Sequence, residues 1–314
     1  MMEDSCTPAF VEAPFQRKDS AHPRTLTEED RDRLKKQDNK IVSDFKQKKL
    51  EKEAQRNWDL FYKRNSTNFF KDRHWTAREF EELANTSQKD TPVALLEAGC
   101  GVGNFLFPLL QENPYLFIHA CDFSPRAVQF VKDNPQYNPD RCNAFQCDLT
   151  KDDLRASVPA ASVDMATLIF VLSALHPDTM RTALENIHRV LKPGGCVLFR
   201  DYGLYDHAML RFAPGHKLAD SFYVRQDGTR AYYFSTDELA KLFTTAGFSV
   251  VNNEYVLRET VNKKEGLCVP RVFVQGKFVK TGQKQDVPGT EQDDNGTTSI
   301  DKGLDDAEQH SCST

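Results

Sequence analysis

The stretch Val93-Ala94-Leu95-Leu96-Glu97-Ala98-Gly99-Cys100-Gly101-Val102-Gly103 sets the architecture of this 314-residue chain. An apolar run feeds an acidic residue and then three glycines at alternate positions. Asn104-Phe105-Leu106-Phe107-Pro108-Leu109-Leu110 follows and starts a helical apolar pattern. The reading is strand, tight turn, helix. Glycine turns sharply and leaves no Cβ between the main chain and a ligand. The helix N-terminus brings unpaired N–H groups to the same place.

The spacing separates two cofactors. A dinucleotide fingerprint reads G-x-G-x-x-G, with a pyrophosphate on the helix end. Here the order is E-x-G-x-G-x-G, and Glu97 beside the turn would repel a pyrophosphate. The acid suits a cofactor with a cationic amino-acid end, as S-adenosylmethionine has. Strand, E-x-G-x-G-x-G and helix together resemble the first motif of the Rossmann-like methyltransferases. Glu97, Gly99, Gly101 and Gly103 are therefore candidate cofactor residues.

Downstream, Leu116-Phe117-Ile118-His119-Ala120-Cys121 reads as a second strand ended by Asp122, 23 residues beyond Gly99. An acid about 20 residues past the turn can grip ribose hydroxyls. Ser124-Pro125 starts a helix, with proline at its first position. Ala144-Phe145-Gln146-Cys147 is a short strand ending at Asp148-Leu149. There the acid can accept from the adenine amine while Leu149 packs on the ring. Val163 to Leu172 is a buried central strand that carries Ile169 towards the cofactor. Leu191-Lys192-Pro193-Gly194-Gly195 reads as a turn into a fifth strand, Cys196 to Arg200. The loop Asp201-Tyr202-Gly203-Leu204-Tyr205-Asp206-His207 then lies outside a strand's carboxyl end, where open α/β sheets bind ligands. Residues 208–231 read as irregular. Ser235/Thr236 caps a helix ended by Gly247, and strands at 249–258 and 270–279 finish the sheet.

Ahead of the first core strand, residues 1–26 have no periodicity and read as disordered. Thr27 can cap a helix with Glu28, Glu29 and Asp30 in its first turn, and 41–64 continue helically. Trp58, Phe61 and Tyr62 share one helical face, either as a staple on the core or as a lid over the cofactor. Residues 63–75 interleave bases with aromatics: Lys63, Arg64, Phe69, Phe70, Lys71, Arg73 and His74. Such mixtures stack on nucleobases and pair with phosphates. Arg211, Arg225, Arg230, Lys263 and Lys264 extend this candidate RNA surface.

The length allows one large α/β domain with extensions. The reading is a helical, basic-aromatic extension over 27–92, a catalytic domain over 93–280 and an acidic disordered tail over 281–314. Net charge is −5, but residues 281–314 hold eight acids and two bases, which leaves about +1 for the rest. That argues against a wholly basic nucleic-acid binder and leaves room for a basic face. The eight cysteines form no C-x-x-C pair, so neither a disulfide framework nor a metal site is expected. No apolar run reaches membrane-spanning length, and no leader is evident. A cytosolic or nuclear protein without a membrane partner is the expectation.

The match to one family is closer. NWDLFYKRNSTNFFKDRHW (Asn57 to Trp75), LEAGCGVGN (Leu96 to Asn104), ACDFSPR (Ala120 to Arg126), FRDYGLYD (Phe199 to Asp206) and VRQDGTR (Val224 to Arg230) resemble the transfer-RNA N3-methylcytidine methyltransferases. The length and NKKEGLCVPR (Asn262 to Arg271) point to one branch of that family. The resemblance covers roughly 27–280. It implies a class I methyltransferase fold, with a seven-stranded, mostly parallel sheet and an N-terminal helical extension. It also implies cofactor contacts at Trp58, Tyr62, Gly99, Asp122, Asp148, Leu149 and Ile169. The substrate it implies is cytidine 32 in the anticodon loop of serine tRNAs, with seryl-tRNA synthetase as a partner.

For such a reaction the expected acceptor residues follow strand five. Asp201 would stabilise the cationic product near the N4 amine, with Tyr202 or Tyr205 stacked on the ring. Arg200 would bond the O2 carbonyl, and His207 would contact base or phosphate. The residues leave open a protein or small-molecule methyltransferase, or an inactive RNA-binding subunit.

Overall fold

The computed structural model describes residues 16–19, 22–67, 72–73, 76–86, 91–262 and 267–281, all within one compact unit. The chain begins with strand β1 (Gln16–Asp19), then helices α1 (Glu28–Asp38), α2 (Asp44–Lys52) and α3 (Ala54–Asn65). Thr27 caps α1 in a capping box with Asp30. The expected continuous helix over 41–64 is broken in two places. Val42 N–H donates to the Lys217 carbonyl at 2.9 Å, which holds 41–42 extended. Glu53 then leaves helical geometry between α2 and α3. Short helices α4 (Thr76–Glu79) and α5 (Glu81–Thr86) lead to the sheet.

The sheet strands follow the expected order: β2 (Val93–Ala98), α6 (Leu106–Glu112), β3 (Leu116–Asp122), α7 (Pro125–Lys132), β4 (Cys142–Gln146), β5 (Val163–Ile169), α8 (Pro177–Val190) and β6 (Leu191–Tyr202). Leu191 to Gly195, expected as a turn, begins β6 instead. Leu191 pairs with Val163, and the register shifts before Met165. A short helix α9 (His207–Leu210) and strands β7 (Lys217–Ala219), β8 (Phe222–Val224) and β9 (Arg230–Tyr232) come next. Helix α10 (Thr236–Thr245), β10 (Phe248–Asn262) and β11 (Leu267–Lys280) complete the described chain.

The main sheet runs β1-β10-β11-β6-β5-β2-β3-β4. The pairs from β6 to β4 are parallel, and β10 and β11 are antiparallel. These are the seven strands of the class I methyltransferase fold. An eighth, β1, pairs antiparallel with β10 from inside the segment expected to be disordered. The other correction lies at 208–231. In place of irregular chain, α9 and a separate three-stranded antiparallel sheet, β7-β8-β9, occupy it.

Strand alternation builds two cores. Leu96, Ala98, Leu168, Val197 and Phe199 face α8 and α10, burying Leu184, Ile187, Leu239 and Phe243. Leu95, Ile118, Ala120 and Leu198 face the other way, against Leu83, Leu106, Leu109 and Val131. A smaller cluster of Val42, Leu50, Leu218, Phe222 and Val224 joins α2 to the three-stranded sheet. These layers leave the carboxyl ends of the parallel strands facing α3 and β9.

Candidate active site

The turn after β2 holds Gly99, Gly101 and Gly103 at φ of +72°, +54° and +94°. Gly99 N–H and Cys100 N–H both donate to the Cys121 carbonyl, at 2.7 and 2.9 Å. A Cβ at Gly99 would lie 2.4 Å from Val171 Cγ2, and one at Gly101 3.1 Å from the Tyr62 hydroxyl. Glycine is thus favoured at both positions by the positive φ and required at Gly99 by the closeness of Val171. Asp122 locks the turn from the next strand. Its Oδ2 accepts from Gly101 N–H and its Oδ1 from Ser124 N–H, each at 2.9 Å. Burial pushes its pKa up to about 6, against the pull of those N–H donors.

Two adjoining cavities open around this turn. The first, ≈ 200 Å³, is lined by Asp122, Asp148, Leu149, Trp58 and Tyr62, among others. Asp148 is held beside it: Oδ1 accepts from Thr150 Oγ1 at 2.6 Å, and Oδ2 pairs with Lys151 at 2.9 Å. Burial works against its charge, but these partners prevail and its pKa falls. Trp58 and Tyr62 of α3 lie with ring centres 6.1 Å apart and line both cavities. The aromatic face read from the sequence is a staple, since Phe61 and Tyr62 pack on Val102 and Ala127, and its Trp58 and Tyr62 also line the cavities.

The second cavity, ≈ 280 Å³, contains Glu97, Gly101, Ile169, Arg73 and Tyr202. Glu97 is buried, and its Oε2 has no hydrogen-bond partner among the described residues. Burial raises its pKa to about 8, with Arg73 opposing and Asp122 assisting. An unpaired carboxylate oxygen buried at a glycine cradle is costly alone and fits an ammonium group. Asp122, Asp148 and this orphaned oxygen put three carboxylate acceptors around the glycine turn, a set that fits the hydroxyls, amine and ammonium of S-adenosylmethionine.

Beyond Glu97 the second cavity becomes aromatic and basic. Tyr202 lies 5.2 Å from Phe170 and 6.5 Å from Phe273, measured between ring centres. Phe170 holds φ +59°, a strained value for a bulky residue. The Arg225 guanidinium lies 5.6 Å from the Tyr202 ring centre, and that of Arg271 lies 5.1 Å from Phe273. This is a slot for a flat, polar-edged group.

Of the expected acceptor residues, only Tyr202 lines the slot. Asp201 is fully buried and borders neither cavity. Its oxygens accept from Ser173 N–H and its neighbour Tyr202 N–H, both at 2.9 Å, and burial pushes its pKa up to about 6. It braces the loop after β5. Arg200, 1% exposed, bonds Gln275 at 3.1 Å and pairs with Glu79 at 3.8 Å; its guanidinium lies 5.2 Å from the Phe273 ring centre, behind the slot wall, and it lines neither cavity. Tyr205 packs with the Met209 and Tyr233 cluster, and His207 opens α9; neither lines a cavity. Phe170, Phe273 and Arg271 were missed. Phe170 closes a parallel strand, where the strand-end rule could have found it. Phe273 and Arg271 come from an antiparallel strand that no such rule covers.

The expected RNA surface divides. Phe69, Phe70, Lys71, His74, Lys263 and Lys264 lie outside the described residues. Lys63 and Arg211 are exposed, and Arg64 pairs with Asp227 at 3.2 Å. Arg73, Arg225 and Arg230 are not on an open surface but in the cavity walls. Arg73 Nη1 donates to the Ile169 carbonyl at 3.0 Å, and Arg230 bonds Glu51 of α2. Among the described residues no group of histidine, cysteine and acid side chains could hold a metal ion. None of their helices is long and apolar enough to cross a membrane.

A methyltransferase-domain family model matches residues 96–197. The tRNA N(3)-cytidine methyltransferase METTL6 (methyltransferase-like protein 6) of Homo sapiens is 65% identical over 269 residues, covering 85% of this chain and 94% of its own length. METTL2 of Danio rerio, also a tRNA N(3)-cytidine methyltransferase, is 42% identical over 268 residues, covering 75% of this chain and 76% of its own. Among solved structures, a Burkholderia thailandensis 1,6-didemethyltoxoflavin-N1-methyltransferase with bound S-adenosylhomocysteine shares the fold. Its TM-score is 0.50 at 17% identity, over 83% of this chain and 94% of that one. The motif resemblance, the glycine cradle with its orphaned acid and these relatives agree: the chain belongs to the S-adenosylmethionine-dependent tRNA N(3)-cytidine methyltransferases.

Proposed function

We propose that the chain methylates N3 of cytidine 32 in the anticodon loop of serine tRNAs, aided by seryl-tRNA synthetase, in the cytosol or nucleus. The position, the tRNA identity and the partner rest on the motif resemblance. The observation that carries the acceptor reading is the slot of Tyr202, Phe170 and Phe273 opening directly beyond Glu97.

S-adenosylmethionine supplies an electrophilic methyl on a sulfonium. Cytosine N3 has a free lone pair at neutral pH, so the protein need not supply a general base. Its task is exposure and alignment: the base must leave the loop and enter a pocket. Tyr202 and its aromatic neighbours offer π-faces for that base, a contact worth about 1–3 kcal/mol. Arg225 and Arg271 offer N–H donors to its carbonyl and phosphate. Glu97 would hold the cofactor's ammonium, and Asp122 would accept from its ribose. Trp58 and Tyr62 cover the joint between the cavities and keep water out. Positioning of this kind lowers the barrier without any proton transfer.

The test is position and identity. Serine tRNA transcripts with cytidine 32 intact or replaced by uridine are incubated with labelled cofactor, with and without the synthetase, beside a non-serine tRNA. Label confined to serine tRNA with cytidine 32, and increased by the synthetase, supports the proposal. Equal label on the uridine transcript, or on all tRNAs regardless of synthetase, contradicts it.

A further inference from the structure

Asp206 is a fully buried carboxylate outside both cavities, with more donors than a helix cap needs. Its Oδ1 accepts from Ala208 N–H at 2.8 Å and caps α9. Its Oδ2 reaches a different element and accepts from Arg271 Nε and Val272 N–H of β11, both at 2.8 Å. Arg271 is the residue that lines the second cavity beside Tyr202 and Phe273. With Nε held from behind and the guanidinium lying against Phe273 at 5.1 Å, the fork is fixed at two points. Its two Nη groups have no hydrogen-bond partner among the described residues and are the donors left for a ligand. A free arginine loses rotamer entropy when it is fixed; here the fold has already ordered it.

We propose that Asp206 is a positioning residue for methyl transfer, acting through Arg271. Its buried carboxylate aims the Arg271 Nη groups at the acceptor nucleotide. The proposal rests on the reading of the second cavity as the acceptor pocket. Three N–H donors converge on Asp206, so the acid is specific. Asparagine would turn an NH₂ group towards one of them. Serine keeps the α9 cap but removes the oxygen that Arg271 uses.

The experiment is a double-mutant cycle on the full chain, with Asp206→Ser, Arg271→Ala and both together. It reads methyl transfer to tRNA and, separately, cofactor binding by calorimetry. Asp206→Ser should lower kcat about 100-fold, the scale of a small misplacement, and leave cofactor affinity unchanged. The double variant should be no slower than Arg271→Ala alone, because both changes remove one device. Losses that multiply in the double variant, or wild-type kcat in Asp206→Ser, overturn the proposal. If Asp206→Ser does not fold, Asp206→Asn takes its place in the same cycle. Failure of both to fold makes the residue purely structural and also overturns it. A wild-type chain that transfers no methyl to tRNA counts instead against the acceptor-pocket reading itself.

Discussion

Glu97 carries the tension in the site. Its pKa, raised to about 8 by burial, means the folded protein prefers it protonated, whereas an ammonium ligand needs the carboxylate. Cofactor affinity should therefore increase as pH rises from 6.5 to 8 and then level off, which calorimetry across that range would check. The same group costs stability. Its folded pKa lies above the unfolded value, so its stabilising contribution is complete below pH 4.5 and is lost as pH rises through about 8. Glu97→Gln should weaken cofactor binding about tenfold or more, the scale of a lost charge-assisted bond. At pH 8 it should also raise the melting temperature of the ligand-free protein by about 3 °C. A variant that binds cofactor normally would remove Glu97 from the site. Tyr202→Ala should lower kcat/KM for tRNA about 10- to 100-fold with cofactor affinity intact, and Tyr202→Phe should stay near wild type. The places of glycines and acids at strand ends were legible in the sequence because they depend on the backbone. Arg200 and Asp201 were not. Period two puts them on opposite faces of β6, and the choice of face depends on what packs there, Glu79 for one and Ser173 for the other.

The N-terminal helices and the β7-β8-β9 sheet are the parts the family fold does not explain, and Gln37 is among the side chains that join them. Gln37 of α1 is 1% exposed. Its Nε2 donates to the Met209 and Phe212 carbonyls at 3.1 and 2.9 Å, and its Oε1 accepts from Tyr223 at 3.0 Å. Gln37→Ala would remove all three bonds, that of the buried Tyr223 hydroxyl among them, and a buried group left unsatisfied costs about 1–3 kcal/mol. Urea unfolding should show a clear fall in midpoint, and an unchanged midpoint would contradict this bridge. The three-residue strands of that sheet could not be read from periodicity, since alternation needs four or more residues to register. Their pairing is set instead by distant partners such as Val42 and Leu50. The long amphipathic helices and buried parallel strands were legible because their patterns are complete within one segment.

At the scale of the molecule, charge is divided against its mean. Net charge is −5, yet the acidic excess lies in 281–314, and bases cluster around α3 and the cavity mouth. Binding to tRNA should weaken steeply as salt rises, through counterion release. Lys63→Ala should weaken binding and reduce the log–log salt slope by about one if Lys63 contacts a phosphate; filter binding between low and high salt would measure both. The most direct test of the central claim, that one cleft joins a cofactor on Glu97 to a cytosine against Tyr202, is nucleoside mass spectrometry of tRNA after incubation with isotope-labelled S-adenosylmethionine. The account predicts labelled 3-methylcytidine with the wild-type chain and a sharp loss of it with Glu97→Gln and Tyr202→Ala. Label appearing in a different nucleoside, or the same yield of 3-methylcytidine from both variants, would contradict it.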